Sequence, residues 1–114
     1  DRDKLAKSIY IALKKRPIDT ETAEKFISKI SRALEQFNPY WVEDPVFMDH
    51  LGSLNQVARS TKSPIAVGET RGGVADFRYL LELDSLSLII MDIAWCGGLT
   101  EAKKVAGMAE AWHP

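Results

Sequence analysis

The chain of 114 residues reads as an α/β protein built on a parallel strand–helix repeat, and two observations predict it. Three short apolar runs each end in an acid: Pro39-Tyr40-Trp41-Val42-Glu43, Pro64-Ile65-Ala66-Val67-Gly68-Glu69 and Leu86-Ser87-Leu88-Ile89-Ile90-Met91-Asp92. They recur at a period of roughly 25 residues, room for one strand, one helix and two turns. The stretches between them carry the i, i+3, i+4, i+7 apolar spacing of amphipathic helices. In such a repeat, corresponding strand ends converge on one edge of a parallel sheet, where folds of this class keep their chemistry. Glu43, Glu69 and Asp92 are therefore the candidate functional residues.

The elements follow in order. Residues 8–13 (Ser-Ile-Tyr-Ile-Ala-Leu) read as a strand that completes the repeat, although the same stretch with Leu5 also fits a helix. A helix over 20–37 presents Ala23, Phe26, Ile27, Ile30, Ala33, Leu34 and Phe37 inward, with Asp19 or Thr20 as N-cap and Asn38-Pro39 as its stop. The strand over 40–42 breaks away at Asp44-Pro45. Asp49 can cap a second helix whose inner face is Leu51, Leu54, Val57 and Ala58. Pro64 opens the strand that ends at Glu69, and after Gly72-Gly73 a third helix buries Val74, Phe77, Leu80 and Leu81. The run over 86–91 is apolar enough for a parallel strand buried on both faces. Thr100 caps a last helix with Ala102, Val105, Ala106, Ala109 and Trp112 inward.

Composition sets outer limits. With 46% hydrophobic and 27% charged residues, the chain can bury a core and does not read as disordered. A net charge of −1 gives no electrostatic footprint for nucleic acid or an anionic membrane. The single cysteine, Cys96, excludes an intrachain disulfide and fits a reducing compartment. No apolar stretch approaches the roughly 20 residues of a membrane span, and no signal peptide precedes Asp1. The expectation is a soluble, cytoplasmic protein.

Three or four strand–helix units are too few for a closed eight-stranded barrel. The chain is then either a small doubly wound fold or part of a barrel. Three motifs favour the second. Tyr40-Trp41-Val42-Glu43-Asp44-Pro45-Val46, Pro64-Ile65-Ala66-Val67-Gly68-Glu69 and Asp92-Ile93-Ala94-Trp95-Cys96-Gly97-Gly98-Leu99-Thr100-Glu101-Ala102 together resemble the barrel domain of the enolase superfamily, in its mandelate racemase and sugar-acid dehydratase branch. The resemblance covers residues 23–112 and implies strands four to six of a TIM (β/α)8 barrel, with residues 8–13 in the place of strand three. Gly68-Glu69 differs from the Asp-Glu pair usual in the muconate cycloisomerase branch.

The resemblance also implies a chemistry. In that family a base removes the proton α to a substrate carboxylate, and Mg²⁺ held by carboxylates from strands three, four and five stabilises the enediolate. Glu43 matches the strand-four ligand and Glu69 the strand-five ligand. Asp92 matches the acid that hydrogen-bonds a catalytic histidine of strand seven. Substrates would be small carboxylates, sugar acids or 2-hydroxy acids, with no nucleic acid or membrane partner. Two departures stand out. Where an Asp followed by His-Gly-Arg is common near the end of strand three, this chain reads Leu13-Lys14-Lys15-Arg16-Pro17, with no acid between Asp3 and Asp19. The sequence also stops before a strand-seven histidine, and strands one, two, seven and eight and the capping domain are unrepresented. Residues 1–114 thus read as a partial barrel domain, expected to form a homo-oligomer or to associate with the missing segments, because Val42, Val67 and Ile90 would otherwise meet solvent.

Plainer roles stand beside these. Glu43 and Glu69 could be surface acids, and Asp92 could cap the following turn. Asp44 fits a supporting acid better than a ligand. His50 belongs at the exposed start of a helix and His113 at a helix end. Lys14, Lys15 and Arg16 fit a solvated basic turn or a contact to an anionic substrate. Trp95 and Cys96 could line a pocket, but no base neighbours the Cys96 thiol in sequence. The two Gly-Gly pairs are turn formers, too short for a phosphate-binding fingerprint.

Overall fold

The computed structural model describes residues 20–47 and 49–112. The expected strand over 8–13, Lys14, Lys15, Arg16 and His113 lie outside them. In chain order the described elements are helix α1 (Thr20–Leu34) with a 3₁₀ turn (Glu35–Phe37), strand β1 (Val42–Glu43), helix α2 (Leu51–Arg59), strand β2 (Ile65–Val67), helix α3 (Gly73–Leu81), strand β3 (Leu88–Ile89) and helix α4 (Leu99–Trp112). The strands form one parallel sheet in the order β1-β2-β3. Each strand is joined to the next by a helix, as the repeat predicts.

The register sorts the side chains. Val42 pairs with Ile65, Glu43 with Ala66, Ala66 with Leu88, and Val67 with Ile89. Paired residues of a parallel sheet share a face and successive residues alternate, so Ile65 and Val67 point one way while Glu43, Ala66 and Leu88 point the other. Ile65 and Val67 enter a core with Leu54 and Ala58 of α2, Phe77 and Leu80 of α3, Cys96, and Ala102 and Val105 of α4. The helices therefore cover one face of the sheet, and Glu43 stands on the other.

Several expectations are corrected. The first strand is shifted: pairing starts where the Val42 N–H reaches Pro64 O at 2.8 Å, leaving Tyr40 90% exposed. Asp49 does not cap α2; the N-cap is His50, whose carbonyl accepts the Leu54 N–H, and Asp49 instead faces Arg71 at 3.5 Å. Thr100 lies inside the first turn of α4, because Gly98 O accepts the first helical bond, from Ala102 N–H. Ala106 and Trp112 are exposed rather than inward. Val67, expected to meet solvent, is fully buried because its face is the one under the helices, whereas Val42 and Ile90 are half-buried. The third strand is not buried on both faces: Leu88 is exposed and Ile89 half-buried. Among the described residues β3 has one neighbouring strand and helices on one side only.

Helix α1 departs most from its pattern. Phe26, Ile27, Ile30, Ala33 and Leu34 are half-buried and Phe37 is exposed, while the buried residues of the helix are Ser28 and Ser31. Its neighbour is α2, and the bonds between α1 with its 3₁₀ turn and the α2 region are polar. Ser53 Oγ donates to Glu24 Oε1, and Glu35 Oε1 accepts from Thr61 Oγ1 and from the Lys62 N–H, each at 2.8 Å.

Candidate active site

Because the three strands run parallel, Glu43, Glu69 and Asp92 all lie at or beyond their C-terminal ends, on one edge of the sheet. Glu43 is the last residue of β1, and its Oε2 accepts a hydrogen bond from Trp41 Nε1 at 2.9 Å. That bond links two residues of the same strand face and leaves the carboxylate exposed. Beyond Glu43 the ladder continues one step, with Asp44 N–H donating to Ala66 O at 3.0 Å.

Glu69 is placed by the residue before it. Gly68 has φ +124°, in the region that favours glycine. A Cβ there would lie 2.7 Å from Ile90 O and 3.1 Å from the Phe77 ring. The turn then closes with Arg71 N–H donating to Gly68 O at 2.9 Å, and Glu69 sits exposed on it. Only glycine permits this close passage of β2 past the end of β3, so Gly68 decides where Glu69 emerges.

Asp92 follows β3. Its Oδ1 accepts the N–H groups of Ala94 at 2.8 Å and Trp95 at 3.0 Å, and its carbonyl accepts the Cys96 N–H at 2.8 Å. One carboxylate oxygen is thus engaged in organising the turn ahead of α4. This turn-forming role stands in the structure beside the orienting role that the motif implies.

Cys96 is no pocket wall. It is fully buried in the core, with Sγ near Ile93 O at 3.7 Å and Gly98 O at 3.9 Å, whereas Trp95 is exposed. His50 stands at the exposed start of α2, as expected.

Two residues carry more than their sequence suggests. Glu101, in the first turn of α4, accepts the Val74 N–H at 3.2 Å and so serves an amide in the first turn of α3. The Lys104 ammonium and that amide hold its carboxyl below the ordinary value. Asp44 is half-buried with φ +41°, and its Oδ1 is buried without a hydrogen-bond partner among the described residues. Burial, then the adjacent Glu43, push its carboxyl up, while the Gly68 backbone N–H works the other way. Acids of this kind show in a sequence only as Asp or Glu next to a turn, a signal many surface acids share.

A cleft of about 720 Å³ opens between α1, the loop after β1 and the turn after β2, with Asp44, Phe47, Thr70 and Arg71 among its lining. Glu43 and Glu69 do not line it. As donors, both are hard carboxylate oxygens of the type Mg²⁺ takes. Among the described residues, however, no three His, Cys, Asp or Glu side chains come together in a group that could hold a metal ion. The donor chemistry fits a hard cation; these two carboxylates are fewer than a full set. No described helix is long and apolar enough to cross a membrane.

Comparison with known proteins agrees with the motifs. Residues 18–113 match the model of the enolase C-terminal domain-like family. A D-galactonate dehydratase of Ralstonia nicotianae is 40% identical over 81 residues, 71% of this chain and 21% of that protein. The crystal structure of an enolase of the mandelate racemase subgroup from Agrobacterium tumefaciens superposes with a TM-score of 0.73 at 46% identity, covering 76% of this chain and 24% of that one. The chain thus spans under a quarter of the length of these relatives. A different similarity also occurs: 89% identity over 36 residues, 32% of this chain, to the transcriptional repressor NrdR of Pelagibacter ubique, of which it covers 24%. With its parallel strand–helix repeat and its acids at or beyond the C-terminal ends of the strands, the chain is a partial α/β barrel and belongs to the enolase superfamily, by its C-terminal domain.

Proposed function

We propose that this chain carries part of the active site of an acid-sugar dehydratase or racemase, an enzyme that abstracts the proton α to a carboxylate. Glu43 and Glu69 hold a divalent cation, Mg²⁺ by the hardness of the donors. The cation supplies positive charge against which a substrate carboxylate is held and its α-proton made more acidic. Asp92, fixed by two backbone amides through Oδ1, orients an imidazole base through the rest of its carboxylate. That base and the remaining ligands come from outside residues 20–112. The observation that carries the reading is the placement of Glu43 and Glu69 at the C-terminal ends of neighbouring parallel strands, in a chain of this family.

The test has two parts. Calorimetric titration of the chain with Mg²⁺ or Mn²⁺ should show weak binding that Glu43→Gln and Glu69→Gln each abolish. A panel of hexonic and pentonic acids, D-galactonate included, should then be offered to the chain and to a full-length relative in parallel. Equal cation binding by wild type and both variants would sink the ligand assignment.

A second reading has support of its own: a catalytically inactive piece of barrel that keeps the packing without turnover. It is favoured by the polar seating of α1, by the absence of an acid between Asp3 and Asp19, and by the 36-residue likeness to a repressor. Turnover by the relative and none by this chain would favour this reading. Either way, we infer that the chain associates, with a second copy or with complementary barrel segments. Support comes from the strands β1 and β3 at the ends of the described sheet and from the exposed Tyr40, Phe47, Trp95 and Leu99. Sedimentation as a compact monomer would overturn that inference.

A further inference from the structure

The indole of Trp41 reaches across Val42 to the carboxylate of Glu43, with Nε1 donating to Oε2 at 2.9 Å. The backbone on each side of Glu43 is already fixed by the sheet. The Val42 N–H donates to Pro64 O at 2.8 Å, and the Asp44 N–H donates to Ala66 O at 3.0 Å. What the sheet leaves loose is the long Glu43 side chain, whose rotamers must be stilled before it can hold a partner. The indole takes over that task with a rigid ring of few rotamers. Tyr40 meets that ring edge-on, the two centroids 6.0 Å apart. An indole N–H donates and never accepts, so it engages Oε2 and leaves Oε1 to a further partner. A carboxylate held in this way offers a cation one oxygen rather than two. That matters for the choice of cation. Ca²⁺ takes carboxylates in either mode within a flexible oxygen shell, whereas Mg²⁺ demands a near-octahedral shell at about 2.1 Å.

We propose that Trp41 is a positioning residue that sets the choice of cation: its indole N–H holds Glu43 Oε2, presents Oε1 as a single ligand oxygen, and so favours Mg²⁺ over Ca²⁺. This rests on reading Glu43 as a cation ligand. Trp41 itself contributes no ligand; it acts through the carboxylate it holds. Partners of this kind behind a ligating carboxylate fix its orientation, and their removal weakens the metal without touching a ligand.

Trp41→Phe keeps an aromatic ring at a partly exposed position and removes the donor. In calorimetric titrations of the whole chain, Trp41→Phe should lose about tenfold in Mg²⁺ affinity and under about threefold in Ca²⁺ affinity. Wild-type Mg²⁺ affinity in this variant, or an equal loss for both cations, overturns the proposal, since a mere loosening of the strand end weakens both alike. The indole N–H resonances supply a readout that needs no metal, with Trp95 and Trp112 as internal controls. Glu43→Ala should shift the Trp41 resonance and speed its exchange with water, leaving the other two in place. A Trp41 resonance that does not respond overturns the proposal. If wild type and Glu43→Gln bind Mg²⁺ alike or not at all, the ligand reading has failed, and the choice of cation falls with it. The hold of Trp41 on Glu43 is then judged by the indole alone: a response confined to Trp41 upholds it, and no response overturns it.

Discussion

Helix α3 buries Phe77, Leu80 and Leu81 and is clipped at its start by Glu101 from α4. Helix α1 buries two serines, leaves its apolar stripe half-covered, and is bonded to the α2 region through Glu24 and, beyond its last turn, Glu35. Both helices have the apolar spacing of a core-facing helix. The difference shows that spacing fixes how a helix divides its residues into faces, whereas the partner surface decides which face is turned inward. Around α3 the partner is the apolar side of β2. Beside α1 it is α2, which offers the polar Ser53 and, just past its end, Thr61 and Lys62.

Four substitutions should break or sharpen this contrast. Phe77→Ala removes the largest fully buried side chain and should cost about 3–5 kcal/mol in urea unfolding. A loss near 1 kcal/mol would show that α3 is no better seated than α1. Gly68→Ala forces a side chain into a left-handed, crowded position and should cost on the order of 3 kcal/mol. Crystallography or NMR of any folded product should show the turn bearing Glu69 displaced. On α1, Ile30→Ala should cost only about 1 kcal/mol, because its side chain is half-covered. A cost matching that of Phe77→Ala would mean that the stripe is buried after all, against another copy or segment.

The smallest effect belongs to Glu35. The Lys62 amide and the Thr61 hydroxyl hold its carboxyl below the ordinary value of 4.5. A depressed carboxylate contributes stability above its unfolded value and loses it as pH falls through the folded one. Glu35→Gln should therefore lower the unfolding midpoint slightly at neutral pH, with the gap closing below about pH 4. A gap that persists into acid would assign the effect to packing rather than charge.

Much of this was open to the sequence reader. The order of helices and strands from residue 20 onward, the parallel sheet and the placement of three acids on one edge all follow from apolar runs recurring at a steady interval. The buried faces of α2 and α3 follow from helical spacing. What was hidden depends on neighbours distant in sequence. Nothing in the residues around Ser28 and Ser31 says they would be covered, since that depends on where α2 lies. Nothing beside Val67 says which sheet face the helices take. The site was legible as residue types, not as an environment: Glu43 and Glu69 announce themselves by motif, while the backbone of Asp44 is held by a carbonyl more than twenty residues away.

The burial of Cys96 gives the molecule an internal reporter. Its thiol lies in the core beside Ala102 and Val105, and it is the chain's only cysteine. A thiol reagent added to the native protein can react only during moments when the packing around α4 opens. The rate of labelling at a single residue would then count those openings directly, without unfolding the rest, and would tell whether seating a partner on the sheet edge steadies the core under α4.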